Sequence, residues 1–182
     1  MTRTVAIFGS SIVQAGEPYY DVSVEVGRAL ATAGYRVVSG GYDGVMEAVS
    51  KGAAEAGGHV IGVTSDRIRE MRGAEANSWV AERVHFETLR DRLLHLVWES
   101  DAYVVMPGGF GTMLELLTAL EFVHARDLTP RPLLVYAPFW QALLEPMHDN
   151  RLFRRSYWPF IQMVETPEAI VTALKNWEAE GK

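Results

Sequence analysis

The stretch YRVVSGGYDGVMEAVSKGAAEAGGHVIGV, residues 35–63, decides the fold. Tyr35–Ser39 is a β-branched, apolar run of strand length that stops at the glycine-rich turn Gly40-Gly41-Tyr42-Asp43-Gly44. Val45–Ala56 continues with helical spacing and ends at Gly57-Gly58, where glycine supplies the left-handed conformation that closes a helix. His59–Val63 is a second short apolar run. A strand, a helical crossover and a second strand make a βαβ unit, and strands joined in this way lie parallel.

The same unit repeats outward from this stretch. Upstream, Thr4–Phe8 reads as a buried strand stopped by Gly9-Ser10-Ser11, and Asp21–Ala33 as a helix closed by Gly34. Downstream, Thr64–Val84 has no clean periodicity and reads as a long loop with a helical turn; loops of that length are often functional. Phe86–Glu99 is a helix with Leu89, Leu93, Leu96 and Val97 on one face, followed by strand Asp101–Met106, loop Pro107–Gly111 and helix Thr112–His124. Strand Arg131–Tyr136, helix Phe139–Arg151, strand Phe160–Val164 and helix Pro167–Glu178 complete the chain. With no linker or internal repeat, residues 1–182 are expected to form one doubly wound α/β domain on a parallel sheet of six strands. Such a fold binds ligands beyond the carboxyl ends of its strands. Three glycine-bearing loops are placed there: Gly9–Ser11, Gly40–Gly44 and Pro107–Thr112.

Composition narrows the chemistry. Apolar stretches such as Leu93–Trp98 fall far short of the ~20 residues of a membrane span, and Val5–Phe8 is shorter than the roughly 7–15 residues of a secretory core, so a cytoplasmic protein with no membrane partner is expected. The absence of cysteine removes thiolate nucleophiles and cysteine-ligated metals. His59, His85, His95, His124 and His148 are dispersed with no H-x-x-x-H pair, so no metal site is expected. A formal charge of −6 argues against a nucleic-acid partner.

No G-x-G-x-x-G follows the first strand and no P-loop pattern occurs, which removes the dinucleotide and P-loop readings. The turn Pro107-Gly108-Gly109-Phe110-Gly111-Thr112 instead offers exposed N–H groups and the positive end of a helix, which suit a monophosphate. Thr112 and Glu115 also fit the S/T-x-x-E capping box, so the same residues read either as a cap or as a site. Arg92 lies three residues after Leu89 and four before Leu96. It therefore borders the apolar stripe of its helix and can aim into a crevice, snorkel to solvent or pair with a carboxylate.

The stretch Ser100–Glu115 resembles the PGGxGTxxE signature of the Lonely Guy (LOG) family, often catalogued as "possible lysine decarboxylase". Ile7–Ser11 and Ser39–Met46 resemble that family's GSS and GGGxxGLMG elements, and the correspondence runs through residues 4–136. The resemblance implies a Rossmann-like domain that forms a homodimer or higher homo-oligomer and needs no cofactor. It also implies a phosphoribohydrolase that takes a nucleoside 5′-monophosphate, AMP or an N6-substituted AMP, to free base and ribose 5-phosphate. It makes Glu115 and Arg92 catalytic, and assigns Ser10, Gly40, Gly41, Gly44, Gly108, Gly109, Gly111 and Thr112 to the nucleotide and its phosphate.

Two departures bear on the base. Thr88–His95 reads TLRDRLLH where cytokinin-activating members read MHxRKxxM, and the first glutamate of their TxEE variant is Leu114. A second reading therefore stays open, a non-catalytic carrier of a nucleotide or of molybdenum cofactor. The decarboxylase label needs a buried lysine for pyridoxal phosphate, and only Lys51, beside Glu47 and Glu55, and the C-terminal Lys175 and Lys182 exist. The aromatics Phe139, Trp140, Phe153, Tyr157, Trp158 and Phe160 are expected at a subunit interface.

Overall fold

The computed structural model describes residues 2–137 and 139–181. In chain order it contains β1 (Thr4–Phe8), α1 (Pro18–Thr32), β2 (Arg36–Ser39), α2 (Val45–Glu55), β3 (Val60–Ser65), α3 (Asp66–Arg72) and β4 (Glu82–Phe86). There follow α4 (Leu89–Trp98), β5 (Ala102–Val105), α5 (Phe110–His124), β6 (Leu133–Tyr136), α6 (Phe139–His148), a 3-10 turn (Arg155–Phe160), β7 (Ile161–Val164) and α7 (Pro167–Ala179). All strands are parallel, in the order β4-β3-β2-β1-β5-β6-β7. This is the doubly wound, Rossmann-like α/β fold, and the order reverses between β1 and β5.

Alternation along each strand divides the core into two layers. Val5, Ile7, Val37, Val104 and Leu134 face α1, α2 and α7, whereas Ala6, Phe8, Val38, Tyr103 and Val135 face α4, α5 and α6. Both faces of the central strands are covered, which is why they read as continuous apolar runs. Among the six C-terminal aromatics, Trp140 is fully buried in the second layer and donates Nε1–H to the Met106 carbonyl at 3.0 Å. It is a core residue.

The sheet has seven strands where six were expected, because Thr64–Val84 is not one loop. It holds the end of β3, all of α3 and the start of β4. β4 is an edge strand carrying Glu82, Arg83 and His85, so its polar side chains hide the pattern that marked the buried strands. Phe86 accordingly ends β4, and α4 starts at Leu89, capped by Thr88 Oγ1 accepting from the Asp91 amide at 3.1 Å.

Two helices of the first layer touch through glycine. A Cβ on Gly52 of α2 would fall 1.8 Å from the Val24 carbonyl oxygen, and one on Gly27 of α1 would fall 2.1 Å from the Val49 carbonyl oxygen. Both obstacles are backbone, so the helices would have to separate. Gly52→Ala is expected to cost about 1–3 kcal/mol of overpacking, seen as a fall of several degrees in Tm.

Candidate active site

The cleft forms where the strand order reverses, as doubly wound sheets dictate. Its walls are the loop after β1 (Gly9–Ile12), Tyr42 and Met46 beyond β2, Ile68, Met71 and Arg72 of α3, Leu89, Arg92 and Leu93 of α4, and the first turns of α5 from Gly109 to Glu115; it encloses about 390 Å³. Two larger hollows, of about 630 and 490 Å³, lie elsewhere, against α7 and against α6 with the 3-10 turn. Neither holds a buried ionisable pair like the one in this cleft.

That pair is Arg92 and Glu115. Arg92 is 5% exposed, donates Nε–H to the Val63 carbonyl at 2.7 Å, and holds its guanidinium carbon 5.8 Å from the Tyr42 ring centre. Its Nη1 stands 3.7 Å from Glu115 Oε1, an ion pair too long for a hydrogen bond. Among the described residues the Glu115 carboxylate has no other polar partner, so its oxygens keep their capacity for a ligand or water. Burial pushes the Glu115 carboxyl up to about 7, with Arg92 pulling it back only in part. Burial likewise lowers Arg92, opposed by Glu115. A carboxylate that titrates near neutrality beside a fixed guanidinium is the arrangement from which acid–base and charge-stabilising chemistry is built.

The capping box does not form. α5 begins at Phe110 with Gly109 as its N-cap and no capping side chain, so Thr112 is the third helical residue and is buried. Glu115 lies a further three residues along, where it faces Arg92. The first N–H groups of α5 have no partner within the helix, and they open onto the cleft with the helix dipole behind them.

The glycines divide into two sets. A Cβ on Gly109 or Gly111 would meet nothing within 4 Å, so both leave backbone open to a ligand. Gly108 instead makes room for Thr112, whose Oγ1 would lie 2.1 Å from a Cβ there, and Gly44, with φ +71°, presses on the Ser10 carbonyl. Gly41, with φ +76°, packs on the backbone of Gly62. Ser10, Gly109, Gly111, Thr112, Arg92 and Glu115 thus line the cleft, while Gly40, Gly41, Gly44 and Gly108 stand behind it and set its shape. Sequence reasoning missed Ile68, Met71 and Arg72; the signal present was the aperiodic, charged stretch in which they lie.

Gly40 gives a direct test of that division. A Cβ there would sit 1.9 Å from Arg92 Nη2 and 2.5 Å from Met46 Sδ, both ends of flexible side chains. Gly40→Ala should therefore fold and displace the guanidinium; with Arg92 in a catalytic role this lowers turnover by about tenfold or more, since misplacing a catalytic group by 1 Å costs up to ~10²-fold. Unchanged kinetics would show that the position of Arg92 is immaterial.

Among the described residues no group of three or more His, Asp or Glu side chains could hold a metal, and no helix is long and apolar enough to cross a membrane. Among the described residues no lysine lines the cleft: Lys51 lies on α2, 4.0 Å from Glu55, and Lys175 is exposed on α7, so these residues do not fit a pyridoxal phosphate Schiff base. Lys182 lies outside the described residues.

A family model described as "Possible lysine decarboxylase" matches residues 46–174, and the chain belongs to that family, which includes the LOG proteins. Over 188 aligned positions the chain is 27% identical to the probable cytokinin riboside 5′-monophosphate phosphoribohydrolase LOGL2 of Oryza sativa subsp. japonica, covering 98% of this chain and 74% of the relative. It is 30% identical to the cytokinin riboside 5′-monophosphate phosphoribohydrolase LOG5 of Arabidopsis thaliana, over 67% of this chain and 53% of that protein, so it spans about half the length of this and several similar relatives. The molybdenum cofactor carrier protein of Chlamydomonas reinhardtii shares the fold with a TM-score of 0.75 at 22% identity, over 98% of this chain and 99% of the other.

Proposed function

We propose that this chain hydrolyses the N-glycosidic bond of AMP or an N6-substituted AMP, releasing the base and ribose 5-phosphate. The observation that carries the reading is the buried Arg92–Glu115 pair beside the open N-terminus of α5. One water is consumed: the bond from the ribose carbon to the base nitrogen breaks, the electron pair leaves with the base, and the water oxygen bonds to that carbon. One of its protons passes to the base nitrogen and the other stays on the new hydroxyl of the ribose. The ribose becomes oxocarbenium-like, so the ionised Glu115 carboxylate stabilises it or orients the water. Arg92 offsets negative charge on the departing base. Ser10, Gly109, Gly111 and Thr112 hold the 5′-phosphate against the positive end of α5, with Gly40, Gly41, Gly44 and Gly108 shaping that seat.

The cleft mouth supports a base with an apolar substituent, since Ile12, Met71 and Phe110 are 82%, 72% and 92% exposed at its rim. The exposed Leu114 and Leu117 continue this surface along α5, which supports pairing with a second copy of the chain. A second reading, a non-catalytic nucleotide or molybdenum-cofactor carrier, is favoured by the apolar Leu93 and Leu114 beside Arg92 and Glu115.

Chromatography of the wild-type protein incubated with AMP, N6-isopentenyl-AMP and other nucleoside monophosphates tests the choice. Equal amounts of base and ribose 5-phosphate are expected from at least one of them. Binding without product from any of them would favour the carrier.

A further inference from the structure

We infer that Arg72 is a second phosphate-binding group, closing on the substrate's 5′-phosphate from the wall opposite the N-terminus of α5. This deepens the proposed function and rests on its placement of the phosphate. α3 carries three arginines, and two are neutralised within the helix: Arg69 by Asp66 at 2.5 Å and Arg67 by Glu70 at 3.0 Å. Arg72, its last residue, has no carboxylate partner among the described residues. The chain turns away immediately after it at Gly73, with φ +63°, which leaves the side chain directed over the cleft.

Among the described residues the Arg72 side chain makes one polar contact, a neutral one, Nη1 donating to Ser11 Oγ at 2.9 Å. Ser11 is held firmly, because its backbone packs on Gly44. Arg72 thus spans from α3 to the loop after β1, and its charge is felt at Arg92, whose protonation it disfavours. With Glu115 ionised, the cleft carries two guanidinium charges, one carboxylate and the partial positive charge of α5. Such a balance favours a dianion, the state of a phosphate monoester above about pH 6. A guanidinium that leaves a hydroxyl for a phosphate gains a charge-assisted, geometrically matched partner.

The test separates this from the hydrolase reading. AMP is titrated calorimetrically into Glu115→Gln, where turnover is slowed about 10²–10⁴-fold, and into the same protein carrying Arg72→Ala or Arg72→Lys. Loss of one charge-assisted contact should weaken AMP binding about 10–100-fold in the alanine variant, with lysine intermediate. In the wild-type background Arg72→Ala should raise KM by a similar factor and leave kcat within about threefold, the pattern of binding shared by ground and transition states. AMP affinity within twofold of the parent in Arg72→Ala would overturn the assignment, as would a fall in kcat at unchanged KM, which marks a structural role. If the wild type turns over no nucleotide while AMP binding still depends on Arg72, the phosphate clamp stands and the hydrolase reading falls.

Discussion

Glu115→Gln is expected to lower kcat/KM for a nucleoside monophosphate by about 10²–10⁴, the usual contribution of one positioned acid–base group, with the fold intact. Glutamine matches the carboxylate in size and keeps the contact surface with Arg92, but it cannot carry the negative charge that an oxocarbenium-like ribose requires. The same substitution tests the electrostatics. Burial raises the Glu115 carboxyl from 4.5 to about 7, so the ionised form predominates above that pH. Activity should therefore climb as pH rises through about 7, and the Gln variant should lose this limb. The substrate's second phosphate ionisation, near 6, persists in both proteins and is told apart by that persistence. Since the folded state binds this proton more tightly than the unfolded state, the wild type loses stability as pH rises from 4.5 through 7. The raised value corresponds to about 3 kcal/mol in full, an effect read as a pH-dependent difference in Tm between the two proteins.

Arg92→Ala should match the first loss in activity and differ from it in the pH profile. Removing the guanidinium leaves Glu115 buried with no counter-charge, so its carboxyl rises further and the activity limb moves to the alkaline side of the wild type. It also removes the bond to the Val63 carbonyl and the packing under Tyr42. Breaking a buried ion pair from one side costs about 3–5 kcal/mol, and the 14% exposure of the Glu115 side chain puts this case at the lower end. Steady-state profiles with thermal melts of Arg92→Ala, Glu115→Gln and the double variant check the coupling. The double variant should lose much less activity than the product of the two single losses, because the groups act on one another.

Legibility followed burial. Strands covered on both faces announced themselves as short apolar runs, and Arg92 was visible because it borders the stripe that Leu96 marks, although Leu89, expected on the same stripe, is 42% exposed at the cleft. β4 was not visible, since an edge strand with Glu82, Arg83 and His85 carries no apolar run. α3 was also hidden: its seven residues include one buried side chain, Ile68. The choice left open between cap and site shows local and tertiary signals in competition, because Thr112 and Glu115 satisfy the spacing of a capping box while the helix starts two residues earlier at Phe110. The roles of Gly40 and Gly108 depend on what approaches them in space, Arg92 and Thr112 respectively, and spacing carries no trace of such neighbours.

The most direct test follows AMP mixed with wild-type protein at pH 8, free base and ribose 5-phosphate being quantified against time beside Glu115→Gln. Multiple turnovers with equal yields of the two products are expected, reduced about 10²–10⁴-fold in the variant. Equal rates in wild type and variant, or AMP held by the wild type without release of base, would rule out hydrolysis through Glu115.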